Sequence, residues 1–523
     1  MREAVVAPAA RPTRALMRGA LLGSILSVVV LEGCAVLRGS LQAPEAPTAD
    51  CATAAVVGLR WGAPARGATP AAYRVFRDGE PLATTGGREF ADTSVVAGAA
   101  YRYWVSSVDV AGNSHASVEL RVSTPPAARN GDAPYCPSPL VTGMTWDWAH
   151  AYRAADGSDL WPVTWGEDGS VYAFFGDGGG FGGDNHRGRT SFGIARITGR
   201  PPLGASDVAN VYGGLNARFP SRLSGKARAL IAIGVDFYAI ASIYGPGDAR
   251  AGEAAPIAGS PDHVEMLFSP HGTQDWRASD WKFCGTESQT LSTDALFCPS
   301  GFVNAGPGNR GTPDDHVYLF GTSPAADARA QDGADVARTY LARVDRRRLL
   351  SRSAYEYFAG VDAKSRPRWT ADLDKLQPVF VDRNRAQPGC AGQCKMSSSL
   401  EEAVYDAGLR RYIGVAQGDL AAQTSFYGAP HPWGPWTTLS YHNIDPATGE
   451  GGWGALGAGA GESLGVHPVN AWTSRDGRTL WMVYSSDGRA GANARFPAPG
   501  TPLDGFHLVR VDLQVGPTPL TSR

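Results

Sequence analysis

Between residues 138 and 515 one short pattern recurs five times, and few folds accommodate a chain built that way. Each copy has a turn, a strand rich in aromatic and β-branched residues, and then another strand. The copies are Gly166–Phe175 with Phe192–Ile197, Ile231–Ile240 with Val264–Ser269, and Asp315–Phe320 with Tyr340–Val344. Gly408–Val415 with Ser425–Ala429, and Asp476–Tyr484 with Phe506–Val511, complete the set. At ~75 residues each they exceed a minimal four-stranded sheet, so the loops are long. Radial repetition is how an all-β chain limits its exposed edges. The expected fold of 138–515 is therefore a five-bladed β-propeller; a two-sheet jelly roll would not give five similar units. Gly and Pro interrupt every region, which excludes a long coiled coil. Charged residues are only 19% and apolar ones 43%, as in a folded chain. Lys plus Arg (48) nearly balances Asp plus Glu (50), which argues against a nucleic-acid partner.

The first 34 residues read as an address. Arg2, Arg11, Arg14 and Arg18 precede the uncharged stretch Gly19–Leu31. A spanning helix needs ~20 residues, so this shorter stretch is a signal-peptide core. It ends at Leu31-Glu32-Gly33-Cys34, which resembles the lipobox of bacterial lipoproteins, although Glu32 stands where a small residue is preferred. The resemblance implies diacylation of Cys34, with 35–50 as a flexible tether. The protein would then be exported and membrane-anchored, facing the periplasm or the cell exterior. Six cysteines remain, an even set that an oxidising compartment would pair. Their order gives Cys51–Cys136, Cys284–Cys298 and Cys390–Cys394. Zinc is disfavoured by that compartment and by the lack of a paired C-x-x-C, and no metal or other cofactor is expected.

Residues 51–125 alternate with period two and break at turns, with Asp78-Gly79 as a hairpin signal. The runs Leu59-Arg60-Trp61, Tyr73–Gly79, Asp92-Thr93, Gly98–Tyr103 and Val108–Asn113 resemble a fibronectin type III domain. The resemblance implies a sandwich with Trp61 in its core and Tyr101 at its corner, serving as a spacer. A Pro-rich linker, 126–137, follows.

Blades converge at a central mouth, so polar residues at strand starts are the candidate site. Asp159 precedes a strand in which Trp161, Val163 and Trp165 share a face. Asp177 opens the run Gly178-Gly179-Gly180, which lacks the lysine and helix of a phosphate loop. Asn309–His316 gathers Arg310, Asp315 and His316. Ser397–Tyr405 carries Glu401 and Glu402 on opposite faces by simple alternation, and His467–Trp472 is the fifth such place.

Asp159, Phe175-Gly176-Asp177, Arg343-Val344, Tyr355–Phe358, Pro378–Phe380, Glu402–Tyr405 and Pro432–Trp436 resemble a bacterial five-bladed propeller family. That family has been described as a domain of unknown function, and some members are endo-D-arabinanases. Gly178 stands where many members carry Thr. The resemblance implies a glycosidase-like site acting on a polysaccharide. Glycoside hydrolysis needs a protonated acid and a carboxylate base or nucleophile. Glu402 is expected as the acid and Asp159 as the base, facing each other across the mouth. Asp177 and Asp315 would position them or raise the acid's pKa. Arg310 and His316 would bind an anionic substituent, and Trp161, Trp165 and Trp436 would be sugar platforms. Two other readings stay open: a polysaccharide lyase relying on His316, Tyr318 or His467 with an Arg, and a non-catalytic carbohydrate-binding surface protein.

Overall fold

The computed structural model describes residues 40–112, 114–127, 132–223, 225–244, 261–285, 297–330, 336–362, 365–383, 398–418, 424–442, 463–486 and 504–516. The expected signal segment with Cys34, residues 35–39, residues 128–131 of the expected linker, and the expected Cys390–Cys394 pairing lie outside them. The described chain is all-β apart from 3₁₀ turns and the helix Pro324–Ala330. None of its helices is long and apolar enough to cross a membrane.

The N-terminal part is two packed sheets. One holds Thr48–Ala52, Val57–Arg60 and Glu89–Asp92; the other holds Glu80–Thr85, Ala72–Arg77, Ala100–Val108, Ser114–Ala116 and Leu120–Ser123. Alternate residues (Val57, Leu59, Tyr73, Val75, Tyr103, Val105) point inward around Trp61. The Tyr101 hydroxyl accepts a hydrogen bond from the Val96 amide at 2.6 Å. Buried Asp92 is satisfied by Arg77 at 2.8 Å and by the Tyr103 hydroxyl at 2.7 Å. The expected tether needs correcting: its described part, 40–50, packs on this sandwich. Leu41 is buried, the Glu45 amide donates to the Gly62 carbonyl, and the first strand starts at Thr48. An apolar residue within reach of a core does not stay in solvent.

Residues 141–515 form five antiparallel sheet units. The first runs Val163–Trp165, Val171–Phe175, Gly193–Ile197 and Val208–Tyr212; the second runs Gly225–Ile233, Asp236–Tyr244, Pro261–Ser269 and Arg277–Gly285. The third begins with Cys298–Asn304, His316–Thr322 and Ala337–Asp345, and the fourth with Ser398–Asp406, Arg411–Gly418 and Thr424–Ala429. Their first strands pair in parallel, Val303 opposite Ala403. The fifth is Ser463–Pro468, Thr479–Ser486 and Phe506–Val515, and the early strand Val141–Trp146 closes it by pairing with Phe506–Val515.

Five apolar cores separate these sheets, one between each neighbouring pair. Phe174, Phe192 and Phe237 fill the space between sheets one and two. Ile240, Phe302 and Tyr340 lie between two and three, and Phe320, Tyr412 and Tyr427 between three and four. Val415, Phe426 and Met482 lie between four and five, while Trp161, Phe175 and Phe506 join five back to one. Strand alternation explains this: Phe174 and Phe175 are consecutive and face different cores. Both faces are thereby buried, so the strands read as nearly continuous apolar runs.

The repeat seen in the sequence marks the second and third strands of each sheet. The innermost strand of the third sheet, Cys298–Asn304, precedes the expected unit. Cys51–Cys136 and Cys284–Cys298 are disulfide-bonded.

Candidate active site

The loop before the first strand of sheet one, Val163–Trp165, holds the first cluster. There Asp159 pairs with Gly176 across an isolated bridge, which brings Asp177 alongside. Lys226, at the start of the second sheet, donates to Asp159 Oδ2 at 2.9 Å and to Asp177 Oδ2 at 2.5 Å. The side chain of Asp159 is 8% exposed and that of Asp177 24%. The Oδ1 atom of each is buried without a hydrogen-bond partner. A Cβ at Gly176 would lie 3.2 Å from Asp159 Oδ1 and 3.8 Å from Lys226 Cε, so glycine leaves the carboxylate room. Gly182 and Gly183 line an open hollow with Arg153, Ala154, Ala155 and Asp156.

One ammonium faces two carboxylates, so the triad carries excess negative charge. Burial, reinforced by Asp177, pushes the Asp159 carboxyl above the usual range despite Lys226. Lys226 moves up too, because its two carboxylates outweigh its own burial. Both directions follow from charge: the cation is held, and the more buried acid yields. Backbone strain concentrates here as well. Leu160 (φ 77°), Trp161 (φ 61°) and Asp177 (φ 58°) are non-glycine residues in the left-handed region, at roughly 1–3 kcal/mol each.

A second cluster lies beside the first. Each first strand carries an extra residue near the same level. The ladder skips between Ala227 and Ala229, Pro299 and Gly301, Leu400 and Glu402, and Ser463 and Val466. In the first sheet the extra residue falls between Asp159 and Val163. Such bulges re-aim side chains. Simple alternation put Glu401 and Glu402 on opposite faces, but the bulge at Glu401 places both near His467. Glu402 Oε1 is 2.9 Å from His467 Nδ1, in a buried pair. His467 Nε2 is 3.0 Å from the Leu160 carbonyl oxygen. Burial, with Glu402 adding to it, pushes Glu401 up to about 7, against the pull of His467 and Arg228. Burial draws His467 down, but Glu402 and Glu401 outweigh it and its pKa rises.

Among the described residues the structure thus joins Asp159 to Asp177 through Lys226, and to Glu402 through Leu160 and His467. Glu402 is the partner of His467 and not a free acid. The other expected residues lie elsewhere. Asp315 is 70% exposed and faces Arg346. Arg310 pairs with Glu167, in the turn at the far end of the first sheet, and His316 sits beside Asp314. All three precede a second strand, and consecutive antiparallel strands start at opposite ends, so they fall on the face away from Asp159. Trp161 is fully buried among Phe175, Phe181 and Phe506, and Trp436 is buried between sheets three and four. Trp165 ends its strand at the far face and packs on a core. None of the three offers a platform at the site. Sequence reasoning missed Lys226, Arg228 and Glu401. Lys226 did leave a trace, being one of only five lysines in a chain that otherwise uses arginine.

No protein-family model matches the chain, and no curated protein is similar to it in sequence. Among solved structures, similarity extends to a family 117 glycoside hydrolase, Zg3597, of the marine bacterium Zobellia galactanivorans. Identity is 10%, coverage is 71% of this chain and 90% of that one, and the TM-score is 0.32. The family 28 exopolygalacturonase of Yersinia enterocolitica is similar at 15% identity over 16% of this chain, with a TM-score of 0.15. There the match spans only 20% of the exopolygalacturonase. The fibronectin type III domain of human fibronectin type III domain containing protein 3 is similar at 18% identity. It covers 17% of this chain and 87% of that one, with a TM-score of 0.15.

Proposed function

We propose that this chain is an exported, lipid-anchored protein of glycoside-hydrolase type that cleaves a polysaccharide, its five sheets forming a β-propeller behind a fibronectin-like module. The observation that carries the reading is the pair of carboxylates on one lysine, Asp159 buried and Asp177 half-buried, both bound to Lys226. Environments that differ within a carboxyl pair separate the acid from the base. Asp159, buried and driven toward its protonated form, takes the role of proton donor, the reverse of its expected role. Asp177, more open and with one oxygen uncommitted, takes the role of attacking carboxylate.

In this scheme Asp159 gives its proton to the glycosidic oxygen as the C1–O bond breaks, and Asp177 bonds to C1. Water, losing a proton to the Asp159 carboxylate, then releases the sugar and restores both groups. Lys226 keeps its protons and holds the pair. Bonds of 2.9 and 2.5 Å to one nitrogen keep the two oxygens close. That supports retention, which uses ~5–5.5 Å, over inversion, which needs ~6.5–9.5 Å.

The test is a polysaccharide panel offered to the full chain, read for new reducing ends, for ultraviolet-absorbing product and, by NMR, for the first anomer released. Retained configuration is expected, with Asp177→Asn lowering turnover by ~10²-fold or more while the chain stays folded. Unsaturated product would make the protein a lyase, and binding without cleavage a lectin. Lipid anchoring is checked separately: Cys34→Ala should move the protein from the membrane to the soluble fraction.

A further inference from the structure

His467 lies between two acceptors. Its Nδ1 faces the Glu402 carboxylate at 2.9 Å and its Nε2 faces the Leu160 carbonyl at 3.0 Å. A neutral imidazole has one N–H and can satisfy only one acceptor; the imidazolium has two. The backbone is shaped to admit the second bond. Gly465 (φ 87°) sits where a Cβ would come within 2.6 Å of His467 Nε2 and 3.1 Å of the Leu160 oxygen. Leu160 in turn begins the left-handed Leu160–Trp161 step, directly after Asp159, and the Trp161 indole N–H is tied back to the Ser158 carbonyl at 3.0 Å. The charged groups around the ring are Glu402 and Glu401 from the fourth sheet, with Arg228 of the second sheet beyond Glu401.

We propose that His467 is a positioning residue, held doubly protonated between Glu402 and Leu160, which fixes the strained Leu160–Trp161 step and so aims the Asp159 carboxyl. Only the activity arm of this inference rests on the function proposed above. Above its titration midpoint the imidazole keeps one proton, one of the two bonds is lost, and the step loses its clamp.

Nitrogen-15 NMR of the intact chain tests the protonation without any substrate, His467 being identified by the signals lost in His467→Gln. At pH 7.5 both ring nitrogens should be protonated, with a midpoint above the ordinary ~6.5. Glu402→Gln should lower that midpoint by ~1–3 units. The Trp161 indole N–H signal should shift with the same midpoint as the ring. An unprotonated ring nitrogen at pH 7.5 overturns the proposal. So does an unmoved midpoint in Glu402→Gln, or a Trp161 signal indifferent to it. If the chain cleaves a glycan, its kcat should fall as pH rises through that midpoint, and the fall should move with it in Glu402→Gln. A kcat limb that ignores Glu402→Gln overturns the positioning role, whereas a chain without turnover refutes the proposed function and leaves the NMR result standing.

Discussion

Lys226 bears the greatest load of any single side chain at the site, because two acids depend on it. Lys226→Met leaves Asp159 and Asp177 facing each other without a counter-charge. Removing one partner of a buried ion pair typically costs ~3–5 kcal/mol. The site opens to solvent on one side, so about 3 kcal/mol is expected in denaturant unfolding at pH 7, shrinking as the acids protonate at lower pH. Adding Asp159→Asn should recover part of the loss. Glu401 gives a prediction with a definite sign. Burial raises its folded pKa from 4.5 to about 7, so the folded chain holds a proton that the unfolded chain releases. Stability from this group is therefore full below pH ~4.5 and falls as pH rises toward ~7. Glu401→Gln should flatten the stability profile across that window. Neither residue stood out as an acid-base partner in the sequence. Side-chain chemistry can be read from a sequence, but which groups share a proton is decided by strands far apart in it.

At the scale of the strand, alternation and turn chemistry marked the second and third strands of all five sheets, because both faces are apolar and the turns are glycine-rich. The innermost strands were harder to read. Cys298–Asn304 contains Pro299 and Gly301, and its register breaks between them. A bulge adds one residue and thereby reverses the facing of everything beyond it. That is why Glu401 and Glu402 were assigned opposite faces, and why the missing first strand of sheet three sent Asp315 and His316 to the wrong end. Gly465 is the sharpest test at this level. Gly465→Ala imposes a side chain at φ 87° and drives it into the His467 ring. A loss of at least ~1–3 kcal/mol in unfolding free energy is expected, together with loss of the Leu160–His467 bond in a crystal structure of the variant.

On the scale of the molecule, the disulfide Cys51–Cys136 ties the first strand of the N-terminal sandwich to the segment entering the ring. Tyr135 beside that cysteine packs on Phe380 and Tyr427, and Arg383 donates to Thr93 across the same junction. The module is therefore seated on the ring. Replacing both cysteines by serine should lower the melting temperature and widen the X-ray scattering envelope, while the proposed glycan cleavage should persist, because Asp159 and Asp177 bond to Lys226 and not to residues of the disulfide. An unchanged envelope would mean that the noncovalent contacts hold the seat alone. The order in which the polypeptide is made gives the ring's closure another meaning. Val141–Trp146 leaves the ribosome long before its partner Phe506–Val515. At ~5–20 residues per second the wait is on the order of tens of seconds. Throughout that interval the growing chain carries a strand edge and the flank of a core whose covering strand has not yet been made. Synthesis of the last strand ends that wait, so a chain cut short before Phe506 leaves the Val141–Trp146 edge without its partner strand.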